Sequence, residues 1–216
     1  MKYLGFVLLV LSSSTTTTAL AETDTYIALN VGASIVDDAK VVGFTESTAD
    51  GQTITHIYDF GHTISMAAGV VDKDYGLRLE VEAANQINDL VGNDKYEELD
   101  ITVETLLVNG YKDFYIFDKF LGYVSGGVGA AYHGNLADTV LAWQLGAGLG
   151  YELTKEITLN VGYRYLATDE YRGKINYLYD FNNSLNPFYD LPDENNTVNI
   201  HPFGSHNVTA GIRYSF

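Results

Sequence analysis

The chain has 216 residues, a formal net charge of −16, 46% apolar and 19% charged residues, and no cysteine. The length allows one or two domains, the apolar content excludes a disordered chain, and the lack of cysteine excludes disulfides, thiolate metal sites, cysteine nucleophiles and a cysteine-borne lipid anchor. Phosphate affinity comes from Lys and Arg, so this acidity argues against a nucleic-acid partner.

Residues 1–21 read as a cleaved signal peptide. Lys2 supplies the positive start, residues 3–11 (YLGFVLLVL) are an apolar run, and Ala19-Leu20-Ala21 is an A-x-A cleavage site. The run is too short to span a bilayer as a helix, which takes roughly 20 residues. The expected mature part is residues 22–216; without the Lys of residues 1–21 it carries −17.

Eight segments of alternating polarity follow, each ended by a break, the sequence sign of a membrane barrel. They cover about 26–35, 63–71, 76–84, 100–112, 120–133, 139–152, 156–166 and 206–216. In 76–84, Leu77, Leu79, Val81 and Ala83 alternate with Arg78, Glu80 and Glu82. In 100–112, Ile101, Val103, Thr105 and Leu107 are assigned to the apolar face, opposite Thr102, Glu104 and Leu106. In 206–216, Val208, Ala210, Ile212, Tyr214 and Phe216 oppose Asn207, Thr209, Gly211, Arg213 and Ser215.

The polarity of the two faces identifies the solvent that each meets. One carries Arg78, Glu80, Glu82, Glu104, Glu152, Arg164 and Arg213 and most strand glycines, which suits a narrow interior where opposite charges pair. The other is continuously apolar and suits lipid. Only a closed barrel leaves no unpaired strand edge in hydrocarbon. The expected fold is all-β, an eight-stranded antiparallel transmembrane β-barrel. Long external loops are expected at about 36–62, 85–99 and 167–205, with short periplasmic turns at 72–75, 113–119 and 153–155 and one short external connection at 134–138. All three prolines fall in the last long loop.

The last strand, Thr209-Ala210-Gly211-Ile212-Arg213-Tyr214-Ser215-Phe216, resembles the assembly signal of outer-membrane proteins through Thr209, Gly211, Tyr214 and Phe216. GLRLEVEA, VNGYKDF, GYVSGGVGAAY and LNVGYRYL resemble the OmpA-like and opacity-type small barrels of Gram-negative outer membranes. The resemblance implies placement in the cell outer membrane and recognition by the barrel-assembly machinery. Outer-membrane lipid and lipopolysaccharide are the expected surroundings, and the chain is expected to be a monomer.

The interior charges admit two readings, a gated ion path or a paired polar core that specifies packing; eight strands leave a bore just wide enough for side chains, which favours the second. The acidic loops are either a self-repelling solvated surface or, through divalent cations, a contact with lipopolysaccharide. Tyr171, Tyr177, Tyr179, Phe188 and Tyr189 of the last loop either pack the loop on itself or form a recognition surface for a host or phage ligand. His201, Ser205 and His206 sit near the rim as candidates for a lipid A-modifying site, His56, His62 and His133 being the other histidines, and no enzyme signature surrounds them. The expectation is therefore a non-enzymatic surface barrel without metal or cofactor, serving envelope integrity and adhesion or interaction through its loops. The alternatives are a narrow porin-type channel and a lipid A-modifying enzyme.

Overall fold

The computed structural model describes residues 23–37, 39–45, 48–56, 58–90, 101–133, 138–169, 171–174, 197–200 and 202–216; side chains of 39–45, 48–56, 58–59, 89–90, 101, 133, 138, 171–174 and 197–200 are not described. The expected signal peptide lies outside these residues. Twelve strands follow in chain order: β1 (Thr23–Val36), β2 (Ala39–Thr45), β3 (Thr48–His56), β4 (Tyr58–Asp72), β5 (Leu77–Leu90), β6 (Ile101–Phe117), β7 (Phe120–His133), β8 (Asp138–Glu152), β9 (Ile157–Thr168), β10 (Tyr171–Lys174), β11 (Thr197–Ile200) and β12 (Gly204–Ser215).

Eight of them close an antiparallel barrel in the order β1-β12-β9-β8-β7-β6-β5-β4, with β4 paired back onto β1. The expected eight-stranded antiparallel barrel is thus the fold observed. The C-terminal strand closes the cylinder against the first, from Tyr26 opposite Ser215 to Val36 opposite Ser205.

The hairpins β4–β5, β6–β7 and β8–β9 turn tightly at one end. Gly76 adopts φ +60° there, and a Cβ on it would sit 2.5 Å from the Asp113 carbonyl oxygen, so glycine is needed twice over. Asp118 takes φ +41° in the two-residue turn between β6 and β7, a conformation Asp tolerates better than most residues. Thr154 Oγ1 accepts the Glu156 and Ile157 N–H groups, holding the third turn.

Long segments leave the other end, and here the structure departs from the expected loops. Within 36–62 and 167–205 lie β2, β3, β10 and β11, paired as a second sheet in the order β10-β11-β2-β3. Their order repeats β9-β12-β1-β4 below them, because each continues the chain of one barrel strand. The first and last long connections are therefore joined to each other, Val198–Ile200 to Val41–Gly43. In 85–99, residues up to Leu90 belong to β5; residues 91–100 lie outside the described residues.

Alternation inside the barrel is inverted relative to a water-soluble one. Along β5, Leu77, Leu79 and Val81 are 52%, 55% and 51% exposed, while Arg78, Glu80 and Glu82 are 9%, 4% and 1% exposed. The period of two sends alternate residues to opposite faces.

One strand reverses its expected faces. In β6, Val103, Thr105 and Leu107 are buried, and Leu106 and Val108 point outward. Val103 and Leu107 join Val36, Ala131, Ala142, Leu166 and Phe203 in an apolar cluster that caps the lumen at the loop end. The expected turn at 113–119 is also shorter, because β6 runs on to Phe117.

Candidate functional site

The lumen is the polar centre of the molecule, and its contents are set by strand parity. Inward positions of β5 supply Arg78, Glu80, Glu82, Gln86 and Asn88; β6 adds Asn109, Tyr111 and Asp113; β9 adds Arg164 and β12 adds Arg213. Buried charges require partners, and the three cations meet two anions, Arg164 with Glu82 and both Arg78 and Arg213 with Asp113.

At mid-depth, Arg164 Nη1 lies 2.7 and 2.5 Å from the two carboxylate oxygens of Glu82. Ser65 Oγ donates to Glu82 Oε2 at 3.2 Å, and Gln144 Nε2 bridges toward Glu82 at 3.4 Å and Asn109 Oδ1 at 2.7 Å. Glu80 has no close cation. It accepts from Tyr26 Oη at 2.7 Å, Tyr111 Oη at 2.6 Å and Asn109 Nδ2 at 3.1 Å, so three neutral donors solvate it.

Toward the turn end, Arg78 Nη2 donates to Asp113 Oδ1 at 2.9 Å, and its Nε lies 2.8 Å from Oδ2 without hydrogen-bond geometry, so the pair is one hydrogen bond plus a close ionic contact. Its guanidinium carbon lies 3.9 Å from the centre of the Tyr111 ring, a cation–π contact. Arg213 reaches the same Asp113 at 3.6 Å and donates to Thr158 Oγ1 at 3.3 Å. Its buried Nε has no hydrogen-bond partner within the protein, and it borders a cavity of about 40 Å³ shared with Asn160 and Thr209. That volume accommodates a few waters, each needing on the order of 10–15 Å³.

Toward the loop end the lumen is uncharged. Ser34, Gln86, Asn88, Ser205 and Asn207 form a ladder, with Gln86 Nε2 donating to Asn88 Oδ1 at 2.8 Å and Ser205 Oγ to Gln86 Oε1 at 3.1 Å. The apolar cluster lies beside it at the same end, with Val103 opposite Gln86 and Leu166 opposite Ser205. A second cavity, of about 20 Å³, is separated from the first by Arg164, which lines both.

Glycines make room for the large side chains. A Cβ on Gly148 or Gly162 would come within 2.3 or 2.2 Å of the Tyr123 hydroxyl, and one on Gly127 within 1.9 Å of Asn109 Oδ1. The bore is filled to contact across its width.

Of the charges expected inside, Arg78, Glu80, Glu82, Arg164 and Arg213 are buried there. Glu104 is a correction: it alternates with buried Val103 and Thr105, so the reversed parity of β6 places it on the outer face near the loop end. Glu152 sits at the turn-end mouth and accepts from Tyr115 Oη at 2.8 Å, apart from the ion pairs. Asp113, expected in the turn 113–119, is a centre of the network; the alternation continued through Asn109, Tyr111 and Asp113 is the sequence signal for it. In the terminal strand, Thr209 and Gly211 face inward, and Tyr214 and Phe216 face outward with ring centres 5.1 Å apart.

At the outer rim, His206 bridges two partners: Nδ1 is 2.6 Å from Tyr163 Oη, and Nε2 is 3.1 Å from Asp37 Oδ1. Tyr165 Oη donates to Asp37 Oδ2 at 3.3 Å. Ser205 points into the lumen instead, so it is not in this cluster, and His201 lies outside the described residues. Tyr177, Tyr179, Phe188 and Tyr189 also lie outside them, and Tyr171 is placed only by its backbone in β10. Among the described residues no group of three or more His, Cys, Asp or Glu could hold a metal ion.

Comparison with known proteins agrees with this geometry. The family model described as outer membrane protein beta-barrel domain matches residues 4–216. Among solved structures, OprG from Pseudomonas aeruginosa superposes with a TM-score of 0.57 at 14% identity, covering 89% of this chain and 95% of that one. Neisserial surface protein A gives 0.51 at 15% identity, with 89% and 97% covered. The outer membrane protein AlkL gives 0.50 at 14% identity, with 94% and 95% covered. At such identities the likeness is one of fold. No curated protein matches the sequence.

Proposed function

We propose, for a chain that belongs to the outer membrane protein beta-barrel domain family and resides in the cell outer membrane, that it acts as a non-enzymatic surface barrel. Its wall contributes to envelope integrity, and its loop end presents an interaction or adhesion surface. The observation that carries this reading is the filled lumen. Ion pairs cross it, an apolar cap lies over them, and the cavities between are only about 40 and 20 Å³. Such an interior supports packing rather than passage of solutes.

The loop end supports the interaction role. The first and last long connections are tied together through β2 and β11, which gives residues 175–196 a structured base rather than two free strands. That segment carries Tyr177, Tyr179, Phe188 and Tyr189, side chains suited to anchoring a partner. A narrow porin is disfavoured by the packed bore. Among the described residues a lipid A-modifying role finds only the Tyr163–His206–Asp37 cluster, whose serine neighbour Ser205 is turned away from it.

The test replaces residues 175–196 with a short Gly-Ser linker, keeping β10 and β11, and scores adherence of intact bacteria to host-cell and matrix surfaces together with phage adsorption. Loss of binding at unchanged surface level supports the reading. Unchanged binding in every assay counts against it. A changed lipid A acyl pattern between cells with and without the gene would favour the enzyme instead.

A further inference from the structure

The wall of the barrel contains a notch that the chain's own packing does not explain. Of the fifteen glycines whose surroundings are described, thirteen have an atom within 2.6 Å of the position a Cβ would take. The two exceptions are Gly110 of β6, with nothing nearer than 4.0 Å, and Gly126 of β7, with nothing nearer than 3.6 Å. They face outward and lie directly opposite each other. Glycine weakens a strand relative to a residue with a side chain, by roughly 0.5–1 kcal/mol against Ala. Neither a turn nor an internal contact requires it at either position.

The surrounding row shows what is missing. Across the sheet it reads Val70, Leu79, Gly110, Gly126, Leu145, and the outward row on the loop side reads Val81, Val108, Val128, Trp143. Two glycines thus interrupt an otherwise bulky apolar wall over a width of two strand spacings, about 10 Å. The resulting groove has a volume of about 560 Å³, with Val70, Leu77, Leu79 and Val124 on its sides.

The groove runs to the turn end, and its rim there carries one charge of each sign. Lys112 is exposed, and its ammonium donates to the Tyr75 carbonyl, which uses one of its three N–H donors. Asp72 accepts the Tyr75 N–H at 3.1 Å with Oδ1, which leaves Oδ2. An acyl chain is what fills a groove in a hydrocarbon-facing wall, because an unfilled one forfeits dispersion contacts. A cation on β6 and an anion on β4 at its mouth, with Leu77 of β5 between them in the register, match a phosphate and an ammonium on one headgroup.

We propose that this groove is a binding site for one zwitterionic aminophospholipid of the leaflet around the turn end: an acyl chain lies over Gly110 and Gly126, the phosphate meets Lys112 and the ammonium meets Asp72. The site does not depend on the role assigned to the loops.

The test is native mass spectrometry of the detergent-purified full chain titrated with palmitoyl-oleoyl phosphatidylethanolamine, and with the phosphatidylglycerol of the same chains. Wild type is expected to retain one phosphatidylethanolamine in preference to phosphatidylglycerol. The double variant Gly110→Leu/Gly126→Leu, whose added Cβ atoms meet nothing closer than ordinary van der Waals contact, is expected to bind it at least tenfold more weakly. Ala210→Leu, an outward substitution on β12 across the barrel, is expected to leave binding unchanged. Equal retention by wild type and the double variant would show adventitious boundary lipid only and overturn the proposal. So would a wild-type dimer that the double variant dissolves, since the groove would then seat a second copy. Should the double variant not fold, Lys112→Gln/Asp72→Asn decides: loss of the headgroup preference supports the site, and an unchanged preference overturns it.

Discussion

Glu82 and Arg164 meet at 2.5 Å from strands β5 and β9, which stand four places apart in a ring of eight and so face each other across the barrel. Asp113 of β6 and Arg213 of β12 span another diameter, at 3.6 Å. Eighty-two positions of sequence separate the first pair. The lumen is braced by contacts between opposite walls, which a water-filled pore would lack.

Removing one end of the central brace leaves a charge buried without its partner. Arg164→Met is expected to destabilise the barrel by about 3–5 kcal/mol in urea unfolding from lipid vesicles. The double change Glu82→Leu/Arg164→Met is expected to cost less than the sum of the two single changes by at least ~1 kcal/mol, since it removes both charges together. Strict additivity would show that the two side chains do not interact.

The chain has no cysteine, so single cysteines report the faces of β6 without background. Leu106→Cys and Val108→Cys are expected to react with a lipid-soluble maleimide in vesicles. Leu107→Cys and Val103→Cys are expected to stay unlabelled. The opposite pattern would restore the face assignment drawn from sequence.

Glycines on the two faces of β7 are expected to behave oppositely. A Cβ on Gly129 would lie 2.1 Å from the Leu106 carbonyl oxygen, a backbone atom with little freedom to yield. Gly129→Ala is expected to cost about 1–3 kcal/mol through overpacking. Gly126→Ala, facing lipid, is expected to be neutral or stabilising by up to ~1 kcal/mol. Equal effects in equilibrium unfolding would contradict the packing described for the lumen.

Strand parity was legible wherever one face held charges and the other did not, as in 76–84, where Arg78, Glu80 and Glu82 alternate with aliphatic residues. The same rule failed at 100–112 because both faces of that segment are apolar: Val103 and Leu107 compete with Leu106 and Val108. What decides between them is the cap under Phe203, and its other members, Val36, Ala131, Ala142, Leu166 and Phe203, come from five other parts of the chain. Asp113 was missed for a related reason. The expected turn at 113–119 hid an inward position that only the continuation of β6 exposes. Strands β2, β3, β10 and β11 were illegible because the pairing of β2 with β11 joins segments more than 150 positions apart. The notch at Gly110 and Gly126 has no signature in sequence, since glycine is frequent on the inner face too; only the empty space over those two sets them apart.

The most direct test of the central claim is electrical: the purified, refolded full chain in a planar bilayer at neutral pH. A lumen braced by Glu82–Arg164 and capped by Val103, Leu107, Leu166 and Phe203 predicts a current indistinguishable from the bare membrane, with no uptake of small sugars by vesicles that contain the protein. Reproducible, large conductance steps accompanied by solute uptake would contradict it.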